Sequence, residues 1–342
     1  MAVAKRPMDL SEDQLIEALS RLLSGGEPGV AVGIGDDAAV VDPGSGSLVL
    51  TTDLLAEGVH FERGSISARD LGAKSVTVNV SDIAAMAASP RYALVAVGLP
   101  PDVEAAWVME LFGGMREACS EYGLSLVGGD TNRAGLLVVS VAVVGEVAPG
   151  RALLRSGARP GDRIVVTGEL GAAAGGLALS RAEPDVTSVA LSAPWGRALV
   201  EALERPAARI GEAQILARSG ATAMMDLSDG LAKDLSRLCD ASGVGARIAV
   251  HALPVSAALA DGAAALGVDA LSLALSGGED YELLAAMPAG SVEDAAARLS
   301  EHFGVRLSDV GEITQEPRLV SVDAEGRTAE LAPEGWDHFG PG

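Results

Sequence analysis

Leu124-Ser125-Leu126-Val127-Gly128-Gly129-Asp130 is the stretch on which the fold turns. A mostly apolar tetrapeptide runs into two glycines and an aspartate, so a buried strand ends where backbone can approach a ligand closely. Upstream, Pro100-Pro101 opens a helical pattern over residues 102–122, and residues 92–99 before it read as a strand. Downstream, residues 136–147 supply another strand. Strand, helix, strand and strand in succession predict mixed α/β architecture.

The same grammar, an apolar run closing on small residues and then aspartate, recurs along the chain. It appears as Gly35-Asp36-Asp37, Thr51-Thr52-Asp53, Asn79-Val80-Ser81-Asp82, Asp226-Leu227-Ser228-Asp229-Gly230 and Ser276-Gly277-Gly278-Glu279-Asp280. Any one instance reads equally well as a helix N-cap or a turn. As a set they predict convergence, because strand ends and helix starts are where sites gather on mixed α/β scaffolds. Carboxylates crowded in one cleft raise each other's pKa unless cations offset the repulsion. Oxygen donors from Asp and Thr, with no His/Cys cluster, favour magnesium or manganese over zinc, and magnesium arrives with substrate phosphates. Phosphoryl transfer is the leading chemistry.

Around these motifs the patterning predicts an amphipathic helix over residues 9–23 and a hairpin from strands 38–41 and 48–52. A helix over 68–88 follows, although Val76, Thr77, Val78 and Val80 divide its propensity. Turn dipeptides at Pro149-Gly150 and Pro160-Gly161 place a domain boundary near residue 150, giving domains 1–149 and 150–342. The second half alternates helices (172–180, 196–203, 207–219, 231–241) with strands (163–167, 221–225, 246–250).

With 25 Lys plus Arg against 47 Asp plus Glu, the formal charge of −22 repels nucleic acid and anionic membranes, so neither is expected as a partner. The apolar stretch 134–144 is too short to span a bilayer, and residues 1–14 lack the apolar run of a signal peptide. Cys119 and Cys239 stand far apart without CxxC spacing and read as reduced core residues, in keeping with a cytoplasmic location. Lys74 follows Gly72-Ala73, but the GxxxxGK[ST] spacing is absent; Gly33-Ile34-Gly35-Asp36 does not complete GxGxxG. His60, His251, His302 and His338 form no HExxH, and there is no GxSxG elbow.

The segments Gly33-Ile34-Gly35-Asp36-Asp37-Ala38, Thr51-Thr52-Asp53 with His60-Phe61, Val78 to Met86, Gly128-Gly129-Asp130-Thr131, Arg155-Ser156-Gly157-Ala158, Asp226 to Gly230, Ser276 to Leu283 and Gly335-Trp336-Asp337-His338-Phe339 occur in the order found in one family. The chain resembles thiamine-monophosphate kinase, within the aminoimidazole-ribonucleotide-synthetase-like superfamily. The resemblance implies an N-terminal α/β domain whose sheet forms a barrel-like interface in a homodimer, and a C-terminal α/β domain covering the site. It implies transfer of the ATP γ-phosphoryl group to thiamine monophosphate, with several magnesium ions and no dedicated general base. By the same resemblance Asp37, Thr51, Thr52, Asp53, Asp82, Asp130, Asp226 and Asp229 are metal ligands. Gly129, Asp130, Arg155, Ser228 and Tyr122 belong to the ATP site, and His60, Glu279 and Trp336 contact the acceptor. Asp36 reads equally as a turn residue, Arg155 as a surface ion pair and Trp336 as core packing. A sister enzyme such as selenophosphate synthetase would want a reactive cysteine near the N-terminus, and none precedes Cys119. A binding module that lost turnover is the rival of another class, and intact candidate ligands in every segment weigh against it.

Overall fold

The computed structural model describes residues 30–32, 39–41 and 46–338. The expected helix over 9–23 and the Gly35-Asp36-Asp37 motif, with its candidate ligand Asp37, lie outside the described residues.

Among the described residues the first half forms a six-stranded sheet in the order β1-β2-β3-β6-β4-β5. Its strands are β1 (Val30–Val32), β2 (Ala39–Val41), β3 (Ser47–Ala56), β4 (Ser89–Leu99), β5 (Ser125–Arg133) and β6 (Val138–Val147). The hairpin expected over 38–52 is the β2–β3 pair, with Val40 opposite Val49. In the single chain this sheet is open, so the barrel-like closure implied by the resemblance is not a property of one copy. Strands β4 and β5 run parallel and are joined by helix α2 (Ala105–Tyr122); the other pairings are antiparallel.

Helix α1 (Ala68–Ala85) packs between this sheet, α2 and the second half of the chain. Ser67 caps it, accepting the Asp70 backbone N–H at 3.0 Å. Fifteen of its residues are buried, Lys74, Ser75, Thr77, Asn79 and Ser81 among them, and such all-round burial is why no amphipathic stripe shows in the sequence. The helix stops three residues short of the predicted 88, because Ala87 turns left-handed at φ 54° and the Ala88 N–H returns to the Ile83 carbonyl.

The second half is a seven-stranded, mostly antiparallel sheet ordered β13-β12-β9-β11-β7-β10-β8. In chain order these are β7 (Arg163–Thr167), β8 (Ala223–Asp226), β9 (Gly245–Ala249), β10 (Leu283–Met287), β11 (Leu307–Thr314), β12 (Leu319–Val322) and β13 (Thr328–Glu330). The helices that matter to the site are α3 (Ala172–Ser180), α5 (Pro194–Glu204), α6 (Ile210–Arg218) and α7 (Leu231–Ser242), with α4 (Pro184–Ser192) between the first two. One apolar cluster crosses between the halves, joining Ala84, Ala85 and Ala87 to Val165, Leu216, Met224 and Leu283. The Gln214 side-chain amide reinforces it by donating to the Ala87 carbonyl at 2.6 Å. Among the described residues no single helix is long and apolar enough to cross a membrane.

Glycine sets the distance between α1 and α2. A Cβ on Gly72 would stand 1.9 Å from the Leu111 carbonyl oxygen, and one on Gly114 would stand 1.8 Å from that of Arg69. Gly114→Ala would gain up to about 1 kcal/mol in helix propensity, but a backbone clash of this depth forces the helices apart. We expect a net destabilisation of about 2 kcal/mol, measurable as a lowered urea midpoint; an unchanged or raised midpoint would show that the contact yields freely.

Candidate active site

Strand β3 delivers Thr51, Thr52 and Asp53 beside the C-terminal half of α1. The Thr51 hydroxyl donates to Asp82 Oδ2 at 2.5 Å, and the Asp53 backbone N–H donates to Asn79 Oδ1 at 2.8 Å. Asn79 is fixed in turn through its amide, which donates to the Ser75 carbonyl at 3.0 Å. The Thr52 hydroxyl instead donates to the Val141 carbonyl at 3.0 Å.

One residue before Asp82, Ser81 reaches across to the second half, its hydroxyl donating to Asp226 Oδ2 at 2.6 Å in a buried setting. Asp226 ends β8, and the turn after it is clamped to a second turn. The Glu279 N–H donates to the Ser228 carbonyl at 2.8 Å, and the Tyr281 N–H to that of Leu227 at 2.9 Å. Glu279 (φ 68°) and Tyr281 (φ 51°) both hold left-handed backbone conformations that cost a non-glycine residue free energy. These clamps keep them there.

Burial pushes the Tyr281 phenol well above its ordinary value, and the charges of Glu279, Asp53, Asp226 and Asp82 push it further. Carboxylates from β3, α1, the end of β8 and the 276–281 turn are therefore all felt at this one phenol. The neighbouring Asp280 departs from them: both of its carboxylate oxygens accept the Gly171 N–H, at 3.0 and 2.9 Å, at the start of α3. Burial raises its pKa well above the usual carboxylate range.

The three candidate acceptor contacts come together. His60 Nδ1 accepts the Ala56 N–H at 3.1 Å, and its ring centroid lies 5.0 Å from that of His338. His338 meets the Trp336 ring edge-on at 5.7 Å and accepts its indole N–H at 3.2 Å. The His60 imidazole is pushed below its usual pKa mainly by burial and then by His338; Glu279 opposes the shift and Lys74 adds to it. Glu279 is tied to this group through the 226–230 turn, its N–H bonding the Ser228 carbonyl next to the Asp229 carbonyl that holds Trp336. The Trp336 N–H donates to the Asp229 carbonyl at 2.9 Å, tying the C-terminal segment to the 226–230 turn.

Two other candidates are placed differently. Asp229 is held by the protein's own cations, 2.7 Å from Arg237 Nη1 and 3.2 Å from Lys233 Nζ. Beneath it the fully buried Asp234 accepts the N–H groups of Ser228 and Asp229, both at 3.1 Å, and its pKa is pushed up to about 7 by burial and by Asp229. The charge of Arg155 is felt at Asp234, where it favours the ionised form, and the Arg155 carbonyl accepts the Ser242 hydroxyl at 3.0 Å. Asp130 stands apart. The register aligns Asp53, Val141, Val95 and Gly129 across the sheet. That puts β5 three strands from β3, or about 14 Å by strand spacing. Asp130, one residue on, faces the opposite side of the sheet from Asp53.

Gly129 and Asp130 line a groove of about 550 Å³ with Val95, Phe112 and Leu126. A Cβ on Gly129 would meet the Val95 carbonyl oxygen at 2.0 Å. Tyr122 does not line this groove. Its hydroxyl accepts the Ala208 N–H at 3.1 Å, and it borders a smaller cavity with Lys74 and Arg205. Phe112 is the aromatic residue that flanks Gly129, and a position in the middle of α2 carries no mark of that in the sequence. Tyr281, Lys74, Asn79 and Ser81 were likewise not singled out as site residues; a lysine and an asparagine among the valines of α1, in the Lys74 to Val80 run, are the signal that was available.

For divalent metal the donor chemistry fits: Asp53, Asp82 and Asp226 offer hard oxygens, and Asp82 is bonded to the Thr51 hydroxyl. Among the described residues no three His, Cys, Asp or Glu groups stand at the spacing of a closed metal site. Magnesium held by one or two carboxylates together with phosphate oxygens does not require such a cage.

Models of two families match the chain: the AIR synthase related protein N-terminal domain over residues 35–147, and its C-terminal domain over residues 159–324. Thiamine-monophosphate kinase of Escherichia coli K12 is 39% identical over 314 residues, spanning 91% of this chain and 92% of that protein. The Aquifex aeolicus thiamine-monophosphate kinase is 36% identical over 334 residues, 98% of this chain and all of that one. A solved structure described as AaThiL complexed with AMPPCP and TMP superposes with a TM-score of 0.85 at 33% identity, over 98% of this chain and 100% of that chain.

The Ser81–Asp226 bond joins the two halves at the centre of the site, and its loss leaves a buried carboxylate short of a donor. Ser81→Ala should destabilise the protein by about 1–3 kcal/mol. In combination with Asp226→Ala it should cost less than the sum of the two, in urea unfolding of all three variants. Additive losses would mean that the bond carries no energy of its own.

Proposed function

The chain belongs to the thiamine-monophosphate kinase family of AIR synthase related proteins, and on that premise we propose that it transfers the γ-phosphoryl group of ATP to thiamine monophosphate, giving thiamine diphosphate and ADP. The observation that carries this reading is the joining of β3, α1 and β8 at acidic residues, through the Thr51–Asp82 and Ser81–Asp226 bonds, with the 226–230 turn holding the ring group of His60, His338 and Trp336 beside them.

The acceptor is a phosphate monoester, already anionic near neutral pH, so an oxygen of its phosphate attacks the γ-phosphorus without a strong general base, and ADP leaves from the opposite side. The residues then have to bring two polyanions into line. Magnesium, held through Asp53, Asp82, Asp226 and the Thr51 hydroxyl, supplies charge neutralisation of the phosphates when bound. Asn79, Ser81 and the 279–281 clamp hold those side chains in place before substrate arrives. His60 and Trp336 offer aromatic faces, and Glu279 a negative charge, to an acceptor with a flat cationic thiazolium ring. Arg155 suits phosphate oxygens through its fork of donors, and the groove flanked by Phe112 and Gly129 suits a planar base. The paired state of Asp229 fits an indirect role, orienting the turn from which Trp336 hangs.

We propose that the active form is a homodimer of domains 1–149 and 150–342 in the cytoplasm. Support for the dimer comes from the outer face of the first sheet, which leaves Leu54, Tyr92 and Leu94 each about half exposed. Asp130 lies on that face and not with Asp53, so a second copy on the apolar face would approach Asp130. The acidic surface and the two unpaired cysteines support a reducing, soluble compartment.

Purified protein with ATP, magnesium and thiamine monophosphate should form thiamine diphosphate, and Asp53→Asn or Asp82→Asn should lower kcat by about a hundredfold or more while the far-UV spectrum is kept. No product from the parent protein, or full activity in either variant at limiting magnesium, would remove the assignment. The dimer has its own test. If each site draws on both chains, mixing inactive Asp53→Asn with inactive Asp130→Asn protein restores activity through mixed dimers, whereas single-chain sites would leave the mixture inactive.

A further inference from the structure

Lys74 has no part in the chemistry described so far, yet it is 2% exposed in a helix packed on all sides. An ammonium so removed from water must find compensation. It does so across the boundary between the halves: Nζ donates to the Leu203 carbonyl, near the end of α5, at 2.8 Å, and stands 3.0 Å from Glu279 Oε1. Glu279 is about a quarter exposed and turns the rest of its side chain inward. Its backbone is the one held at φ 68° and hydrogen-bonded to the Ser228 carbonyl.

We propose that Lys74 is a positioning residue for the acceptor: it holds the Glu279 carboxylate at the ring group of His60, His338 and Trp336, and so determines how tightly a cationic acceptor is bound. Three independent anchors then converge on Glu279: the strained backbone, the clamp to the 226–230 turn and the Lys74 ion pair. The carboxylate alone would turn toward solvent, away from the like charges of Asp53, Asp82 and Asp226. An ammonium fixed by the Leu203 carbonyl gives it one preferred direction. Because the lysine belongs to the first half of the chain while Glu279 and Leu203 belong to the second, the acceptor pocket forms only when the halves are docked. Lys74 acts through Glu279 and does not itself touch the transferred group.

This inference rests on the reading of Glu279 as the acceptor contact, and a double-mutant cycle separates the two. Steady-state KM for thiamine monophosphate and for ATP would be measured for Lys74→Met, Glu279→Gln and the double variant, with melting temperatures alongside. Lys74→Met should raise KM for thiamine monophosphate by about tenfold or more and change KM for ATP less than twofold. The double variant should be no worse than Glu279→Gln alone, because the lysine has nothing left to position. Lys74→Gln, which keeps a donor for the Leu203 carbonyl, provides the same comparison should Lys74→Met fail to fold. Equal rises in both KM values, or losses that add in the double variant, overturn the positioning role. An unchanged KM for thiamine monophosphate in Glu279→Gln overturns the reading of Glu279 instead.

Discussion

Lys74, Asn79, Ser81 and Asp82 sit on one helix that is enclosed on nearly every side, and a buried polar group without a partner costs more than most single contacts contribute. Each therefore binds a different element: Lys74 the end of α5 and the 276–281 turn, Asn79 the backbone of β3, Ser81 the end of β8, and Asp82 the hydroxyl of Thr51. Those four destinations outline the site. The geometry of the carboxylates follows from the need to satisfy α1, and the glycine contacts with α2 hold the helix at the depth where all four bonds can form at once.

The same constraint explains what could be read from the amino acids. Strand and helix positions in the second half were legible because glycine and proline punctuate them; β7 and α3 fall where the pattern puts them. Strand β5 was legible only to Val127, because Gly128 and Gly129 look like a stop; the strand continues through them to Arg133 since β4 supplies a partner at every step. The acidic motifs could be found by their grammar, but their grouping could not. Sequence spacing says nothing of which sheet face an aspartate occupies, so Asp53 and Asp130 looked alike although the register sets them on opposite sides. Tyr281 was hidden for a different reason, since its place depends on a left-handed backbone that no tyrosine advertises.

Charge compensation divides the acidic residues further. Asp229 has Arg237 and Lys233 within ion-pair distance, and Asp280 has the Gly171 N–H, so both are served by groups of the fold itself. Asp82 and Asp226 instead accept the hydroxyls of Thr51 and Ser81, bonds that tie one element of the site to another. Asp229 and Asp280 stabilise turns while Asp82 and Asp226 join elements, and identity alone, aspartate in every case, could not make that distinction.

A reaction between two phosphate-bearing molecules also explains why so much of the machinery is rigid. The nucleophile needs no activation, so the barrier the protein can lower is that of bringing like charges into line, and that gain is lost if the groups must be organised after binding. Strain at Glu279 and Tyr281 is tolerable on these terms, because two backbone hydrogen bonds and a buried ion pair hold what the local sequence would otherwise release. The apolar cluster running from Ala84 to Leu283 contributes in the same sense. It makes the docking of the two halves part of folding itself, leaving the acceptor pocket assembled before either substrate enters.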